Sequence, residues 1–360
     1  MRENVKYYQE DNYAQLVRTV DLKNDFTNND FVYVDEIAYD FLWRVQLKEP
    51  NIVLPNIGAN IGEKYYVSPK DFPKDKNVLG PNAILLRSKC NDTHFVYFRL
   101  STSSYDNEMK KLVGASGQPK FNKTDLKKVK LFMPLLKEQN RISYFLGLLE
   151  ERIATQNKII EDLKKLKVAI IEKLYSEIQG KEYSYGQLFE VVNDRNKQME
   201  FSNILSASQE KGMVNRDDLN MDIQFERSNI NTYKIVRAGD YVIHLRSFQG
   251  GFAFSDKSGV CSPAYTILRP NSFLEYGYLS HYFTSHRFIK SLVLVTYGIR
   301  DGRSINVDEW LSMKITIPSK EHQQYIVKVI ESFERKIKNE EAYATHLSIQ
   351  KQHLLRQMFI

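Results

Sequence analysis

Arg246, Ser247 and Gln249 lie in one stretch, HLRSFQGGFAF (His244–Phe254), and Arg300 and Arg303 in another, YGIRDGRSIN (Tyr297–Asn306). Two earlier stretches have the same character: PNIGANIGEKYY carries Asn56, Asn60 and Lys64, and GASGQPKFN carries Gln118 and Lys120. The segments AQLVRTVDLKNDF and NILSASQEKGMV add Arg18, Lys23, Ser208 and Lys211. The chemistry open to these groups is recognition by hydrogen bonds. Guanidinium pairs with the acceptor edge of guanine and carboxamide with adenine, while lysine and serine hold backbone phosphates. Neighbouring glycines let a main chain approach closely. A polar, glycine-rich β-turn explains any one stretch equally well, so the grouping has to be judged by what positions it.

Other chemistries lack their motifs. The sequence has no Gly-x-Gly-x-x-Gly loop, no phosphate loop ending in Lys-Ser or Lys-Thr, no Gly-x-Ser-x-Gly elbow and no Cys/His ligand spacing. Seven histidines (His94, His244, His281, His286, His322, His346 and His353) are scattered and read as structural or solvent-facing. The triplet at Glu334–Lys336 reads as a solvated helix face. Cys90 and Cys261 read as unpaired thiols of a reducing cytosol. The N-terminal MRENVKYYQEDNY has no apolar core segment, so neither signal peptide nor membrane span is expected, and the chain is placed in the cytoplasm. With 42% hydrophobic and 26% charged residues the chain is an ordinary globular one. A net charge of +7 fits a nucleic-acid partner without requiring one.

The elements behind the polar stretches come in duplicate. Laying Pro134 on Pro318 also puts Gln139 on Gln323 and Ile142 on Ile326. Upstream, Phe121 falls on Ile305, Asn122 on Asn306, Asp125 on Glu309 and Leu126 on Trp310; downstream, AIIEKLY falls on HLLRQMF. The unit is about half the chain, a module followed by a helix. From Lys137 to Tyr175 apolar residues recur in a 4-3 pattern that predicts a coiled-coil helix: Ile142, Leu146, Leu149, Ile153, Gln156, Ile160, Leu163, Lys167, Ile170 and Leu174. The copy reads Ile326, Ile330, Phe333, Ile337, Glu340, Ala344, Leu347, Lys351, Leu354 and Met358. Its polar breaks coincide, Gln156 over Glu340 and Lys167 over Lys351. In an antiparallel pair Glu340 is expected near Lys167 and Gln156 near Lys351; equally, all four reach past the seam into water.

The modules ahead of the helices read as mixed α/β, with β-rich runs NIVLP, NAILLRS and HFVYFRL in the first and YKIVRAGDYVIHLRS and AYTILRP in the second. Each carries one expected helix, near Tyr97–Leu112 and near Tyr278–Leu292. The expected boundaries are 1–132 and 181–316 for the modules, and 133–180 and 317–360 for the helical regions. AQLVRTVDLKNDF, the counterpart of NILSASQEKGMV, lies close to Met1, so the first module is expected to lack an opening segment that the second possesses, either because the gene starts late or because that piece is supplied differently.

This arrangement resembles the specificity (S) subunits of type I restriction-modification enzymes. The resemblance spans nearly the whole chain and rests on LKKVKLFMPLLKEQNRI leading to LKVAIIEKLYS, on the second copy WLSMKITIPSKEHQQYI leading to LLRQMFI, and on a glycine-rich turn ahead of each. The second copy has His322 where the first has the Glu138 of a Glu-Gln pair. The resemblance implies two target recognition domains in pseudo-twofold arrangement, each reading half of a bipartite asymmetric site on double-stranded DNA. It implies that a pair of long antiparallel helices sets the unread gap, and that two methyltransferase subunits and the restriction-translocase subunits are partners. It further implies that this chain is not an enzyme and holds no cofactor or metal: S-adenosylmethionine, ATP and magnesium belong to partner subunits of an adenine-N6 methyltransferase and ATP-dependent endonuclease. Two readings of other classes stand beside it: a coiled-coil adaptor binding only proteins, and a self-contained nuclease or methyltransferase, for which catalytic residues are not found.

Overall fold

The computed structural model describes residues 5–57, 61–113, 120–208, 211–218, 227–244, 251–297 and 304–359. The chain divides into two compact units: unit 1, Met1–Asn157 with Ala342–Ile360, and unit 2, Lys158–Glu341. Among the described residues no helix is long and apolar enough to cross a membrane.

Unit 1 contains β1 (Ala14–Val17), α1 (Thr19–Lys23), β2 (Val32–Val34), α2 (Glu36–Phe41), β3 (Asn51–Pro55), β4 (Tyr65–Val67), β5 (Asn77–Leu79) and β6 (Ala83–Leu86). β1 pairs antiparallel with β2 and parallel with β5; β3 is flanked antiparallel by β4 and β6. Three helices follow, α3 (Thr93–Leu100), α4 (Ser103–Val113) and α5 (Lys123–Leu126), and then α6 (Leu136–Ser176), which runs on into unit 2. The helix expected near Tyr97–Leu112 is thus two helices. The hydroxyls of Ser101 and Thr102 donate to the carbonyls of Tyr97 and Arg99, each at 2.9 Å, the local side-chain bonding that ends a helix.

Unit 2 contains β7 (Lys181–Ser184), α7 (Tyr185–Leu188), β8 (Phe189–Val192), β9 (Leu205–Ser208), β10 (Gly212–Asn215), β11 (Lys234–Val236), β12 (Tyr241–Ile243), β13 (Phe252–Phe254), β14 (Gly259–Cys261) and β15 (Thr266–Pro270). Then come α8 (His286–Ser291), β16 (Thr296–Tyr297), β17 (Ser304–Ile305), α9 (Val307–Ser312), β18 (Lys314–Ile317) and α10 (Lys320–Met358), whose last part belongs to unit 1. One sheet runs β13-β12-β15-β8; β9 pairs with β10, β11 with β14, β16 with β17 and β18 with β7. The helix expected near Tyr278–Leu292 is a short 3-10 turn, Tyr282–Thr284, followed by α8, because Ser285 accepts from the Phe288 amide and starts the helix afresh.

α6 spans 41 residues and α10 spans 39, and they pack antiparallel. In unit 1 Lys351 pairs with Glu150; in unit 2 Lys164 pairs with Glu341 and Lys167 with Glu334, so residue number rises on one helix as it falls on the other. The carboxylates that meet Lys167 and Lys351 are therefore Glu334 and Glu150, a shift of register from the expected approach of Glu340 and Gln156. Glu340 is half-buried and pairs with Lys336 on its own helix, and Gln156 is buried. The remaining expected pairing residues, Ile142, Leu149, Ile153, Leu163, Ile326, Phe333, Ile337 and Leu347, are all buried or half-buried.

Toward the modules the buried stripe widens beyond the 4-3 seam. In unit 1 Ile142, Leu146, Leu355 and Phe359 pack with Phe95 and Phe98 of α3. In unit 2 Ile171, Tyr175, Ile326 and Ile330 join Tyr278, Phe283 and Phe288. Ile171 and Tyr175, and their repeat counterparts Leu355 and Phe359, lie beside the seam. They are the helices' grip on the modules, each such side chain stabilising by roughly 1.5–3 kcal/mol. Cys90 is exposed, whereas burial pushes the thiol of Cys261 up to about 12.

Candidate nucleic-acid interface

The two modules share one frame. The order β4-β3-β6 in unit 1 repeats the order β13-β12-β15 in unit 2: β3 and β12 each sit between a hairpin partner and a second antiparallel strand. β1 runs parallel to β5, and Ile204, just before β9, bridges in parallel to Val260 of β14. The polar stretches of the two modules consequently occupy matching connections. Asn56, Asn60 and Lys64 lie between β3 and β4; Arg246, Ser247 and Gln249 lie between β12 and β13. Gln118 and Lys120 precede α5, and Arg300 and Arg303 precede α9. Asn60, Gln118, Arg246, Ser247, Gln249, Arg300 and Arg303 lie outside the described residues.

In unit 1 these two connections touch. Ile57 and Lys120 form a β-bridge, the Asn56 side-chain amide donates to the Phe121 carbonyl at 3.1 Å, and the Phe121 amide donates back to the Asn56 carbonyl. Asn56 thereby acts as a staple between the connections, and Lys120 stands exposed beside it. Lys64 is largely buried, pairing with Asp106 and lying over the Tyr105 ring. α1 is tied to the same end, since Lys23 reaches Glu63 at 3.2 Å. Arg18 is an internal brace: its guanidinium binds Asp21 at 2.7 Å and the Asp30 carbonyl at 2.8 Å.

In unit 2 Ser208 and Lys211 flank the turn between β9 and β10. Gly212 (φ +68°) approaches the Phe254 carbonyl so closely that a Cβ has no room. Lys211 and Gly212 line a cleft with Lys167, Glu172, His281 and Glu334.

The duplicated helix entrances have a physical reason. Gln139 and Gln323 are buried in the first turns of α6 and α10. The Gln139 amide donates to the Pro134 carbonyl and to Asn91 Oδ1, both at 2.8 Å, while its oxygen accepts from the Asp92 amide at 3.0 Å. The Gln323 amide donates to the carbonyls of Pro318 (3.1 Å) and Phe273 (2.9 Å), and its oxygen accepts from the Glu275 amide at 2.8 Å. Each glutamine therefore locks its module to its helix with both amide donors and the carbonyl oxygen of one carboxamide. The Asn122 and Asn306 side chains, also equivalent, cap α5 and α9.

A second duplicated device went unread because histidines at irregular spacing carry no pattern. In unit 1 Glu150 meets Lys351 of α10 and His94 of α3, the latter at 3.4 Å. In unit 2 Glu334 meets Lys167 of α6 at 3.0 Å and His281 at 3.6 Å. Glu334, on the exposed face that also carries Arg335 and Lys336, thus joins helix pair and module as well. Burial pushes Glu150 up, but hydrogen bonds from His94 and Lys351 outweigh it and hold the carboxyl below its ordinary value. His281 is held below its ordinary 6.5 chiefly by burial, with Glu334 opposing and Lys167 adding to the shift. Gly147 makes room for His94, since a Cβ there lies 3.0 Å from the imidazole Cε1.

A family model for the type I restriction modification DNA specificity domain matches the chain twice, over residues 5–165 and 179–346. A putative type I restriction enzyme MjaX specificity subunit of Methanocaldococcus jannaschii is 23% identical over 332 residues, covering 84% of this chain and 76% of that protein. The MjaVIII specificity subunit of the same organism is 26% identical over 150 residues, 41% of this chain and 34% of that one. Among solved structures, the S subunit of a type I system from M. genitalium aligns with a TM-score of 0.51 at 15% identity, covering 88% of this chain and 84% of that one. A chain from a structure concerned with complex assembly and conformational transition of the type I R-M system aligns with a TM-score of 0.56 at 13% identity, covering 87% and 82%. At these identities the structural likenesses speak to fold. The double family match and the duplicated frame together make the chain a member of the type I restriction-modification DNA specificity family, a non-catalytic specificity subunit with two target recognition domains.

Proposed function

We propose that the β3–β4 connection with the segment before α5 reads one half of a bipartite, asymmetric DNA site, and that the β12–β13 connection with the segment before α9 reads the other. The observation that carries this reading is the match in topology: residues able to pair with base edges and phosphates sit on equivalent connections of one frame, with different side chains in each copy. Arg246, Ser247, Gln249, Arg300 and Arg303 serve one half-site, and Asn60, Gln118 and Lys120 the other. Lys23 acts from the flank as a phosphate contact, and Asn56 and the ion-paired Lys64 as positioning residues. The paired helices set the unread gap, and the module and helix boundaries are those expected from the sequence.

Two methyltransferase subunits bind the helices and adjoining surfaces. Tyr144, Phe145 and Leu148 of α6, exposed by 70, 47 and 46%, support that docking. The restriction-translocase subunits join this assembly in the cytoplasm, and S-adenosylmethionine, ATP and magnesium reside on the partners. The test is co-expression with the methyltransferase subunit, capture of a genomic duplex pool at moderate salt, and sequencing. A two-part motif with a fixed gap is expected, and Arg246→Ala or Arg303→Ala relaxes one half alone. Retention of the methyltransferase with no enriched motif overturns the DNA reading; loss of both overturns the docking reading as well.

A further inference from the structure

The two histidine junctions differ on the side that faces the strands. The row Tyr66, Ile52 and Leu86 across β4, β3 and β6 has its counterpart in Phe254, Tyr241 and Leu268 across β13, β12 and β15. In unit 1 the His94 imidazole stacks on the Tyr66 ring, with centroids 4.3 Å apart and planes 20° from parallel, and on the Phe98 ring at 4.5 Å and 27°. In unit 2 Phe254 turns instead to Tyr276, edge to face at 5.1 Å, and to Tyr241 at 5.0 Å. Among the described residues no aromatic ring stacks on His281, which borders the cleft that Phe254 also lines.

Tyr66 is the second residue of β4, the strand into which the connection with Asn56, Asn60 and Lys64 runs. At the edge of the imidazole, Nε2 meets Glu150 Oε2 at 3.4 Å, and the other oxygen of Glu150 meets Lys351 of α10. A continuous line of contacts therefore leads from the first strand after the connection, through one side chain, to both long helices. Packing holds its members in place: Phe98 is fully buried, Gly147 leaves the space that the imidazole fills, and Tyr97 lies beside the stack, 5.9 Å from Tyr66. A recognition constellation keeps its geometry only as well as the residues behind it keep theirs.

Taking the β3–β4 connection to contact DNA as proposed above, we propose that His94 is a positioning residue for the half-site read by unit 1. It holds β4, and with it the connection, in one pose against the helix pair, and it acts through Tyr66 rather than by touching DNA. Two properties of the side chain are needed together: a flat ring for Tyr66 and an N–H that donates to Glu150.

The experiment uses the chain co-expressed with the methyltransferase subunit and duplexes carrying the recovered motif with one base pair altered in either half. Discrimination is the ratio of Kd for altered and matched duplex, and the half read by unit 1 is the one that Arg246→Ala leaves intact. At that half, discrimination is expected to fall by about fivefold or more in His94→Phe, which keeps the stack, and in His94→Gln, which keeps a donor, while the other half is unchanged. Tyr66→Phe retains discrimination and Tyr66→Leu loses it, and Tyr66→Leu added to His94→Phe costs little further. Where a His94 variant does not fold, the comparison of Tyr66→Phe with Tyr66→Leu decides in the same way. Unchanged discrimination, or equal loss at both halves, the mark of general loosening, overturns the proposal and leaves the DNA reading in place. A wild-type complex that enriches no motif overturns both.

Discussion

Gln139 and Gln323 each concentrate three hydrogen bonds on a buried carboxamide. Gln139→Ala leaves the Asp92 amide and the Pro134 carbonyl without their partner and is expected to lower the stability of unit 1 by ~1–3 kcal/mol, measured by urea unfolding, with Gln323→Ala acting likewise on unit 2. His281 gives a pH signature. Its folded value lies below the ordinary 6.5, so between the two values the unfolded chain holds the extra proton and stability falls as pH drops through that window. His281→Gln should flatten the melting temperature of unit 2 across it. Glu150 acts in the same sense at lower pH: its contribution is complete above the ordinary 4.5 and is lost as pH falls through the lower folded value. The repeat made both glutamines visible in the sequence, and their alignment held the clue to their role. The histidines were not legible, because His94 and His281 do not align under the shift that relates the helices; the modules' differing lengths hide the correspondence.

The helices were the most legible elements, since a 4-3 pattern without proline over this length admits few other structures. Their second stripe was not, because Ile171, Tyr175, Leu355 and Phe359 meet partners far away in sequence. Ile330→Ala, at a side chain 1% exposed, is expected to cost ~2–5 kcal/mol, whereas Leu166→Ala, at 48% exposure, should stay within about 0.5 kcal/mol; thermal denaturation separates them. The modules' strands could be read from apolar runs, but their helices could not be delimited. Hydroxyl residues at Ser101, Thr102 and Ser285 stop and restart them, a local competition that helix periodicity does not register.

For the whole molecule, the duplicated frame turns helix length into a measurable quantity. Removing one matched heptad from α6 and from α10 shortens each by about 10 Å, and the recognised gap is expected to shrink by roughly three base pairs in the sequencing assay, with both half-sites unchanged. Duplication was legible end to end, while for the proposed base contacts the sequence offers only a class of polar loop residues, because loop side chains answer to a ligand rather than to a core. The two cysteines, finally, differ in a way that lends the chain an optical handle. Cys90 is exposed and adjoins Asn91, which accepts the Gln139 clamp, while the buried Cys261 thiol stays protonated and inert at neutral pH. A maleimide dye therefore enters at one position without mutagenesis, beside the joint between module and helix, and its emission reports on the surroundings of that joint.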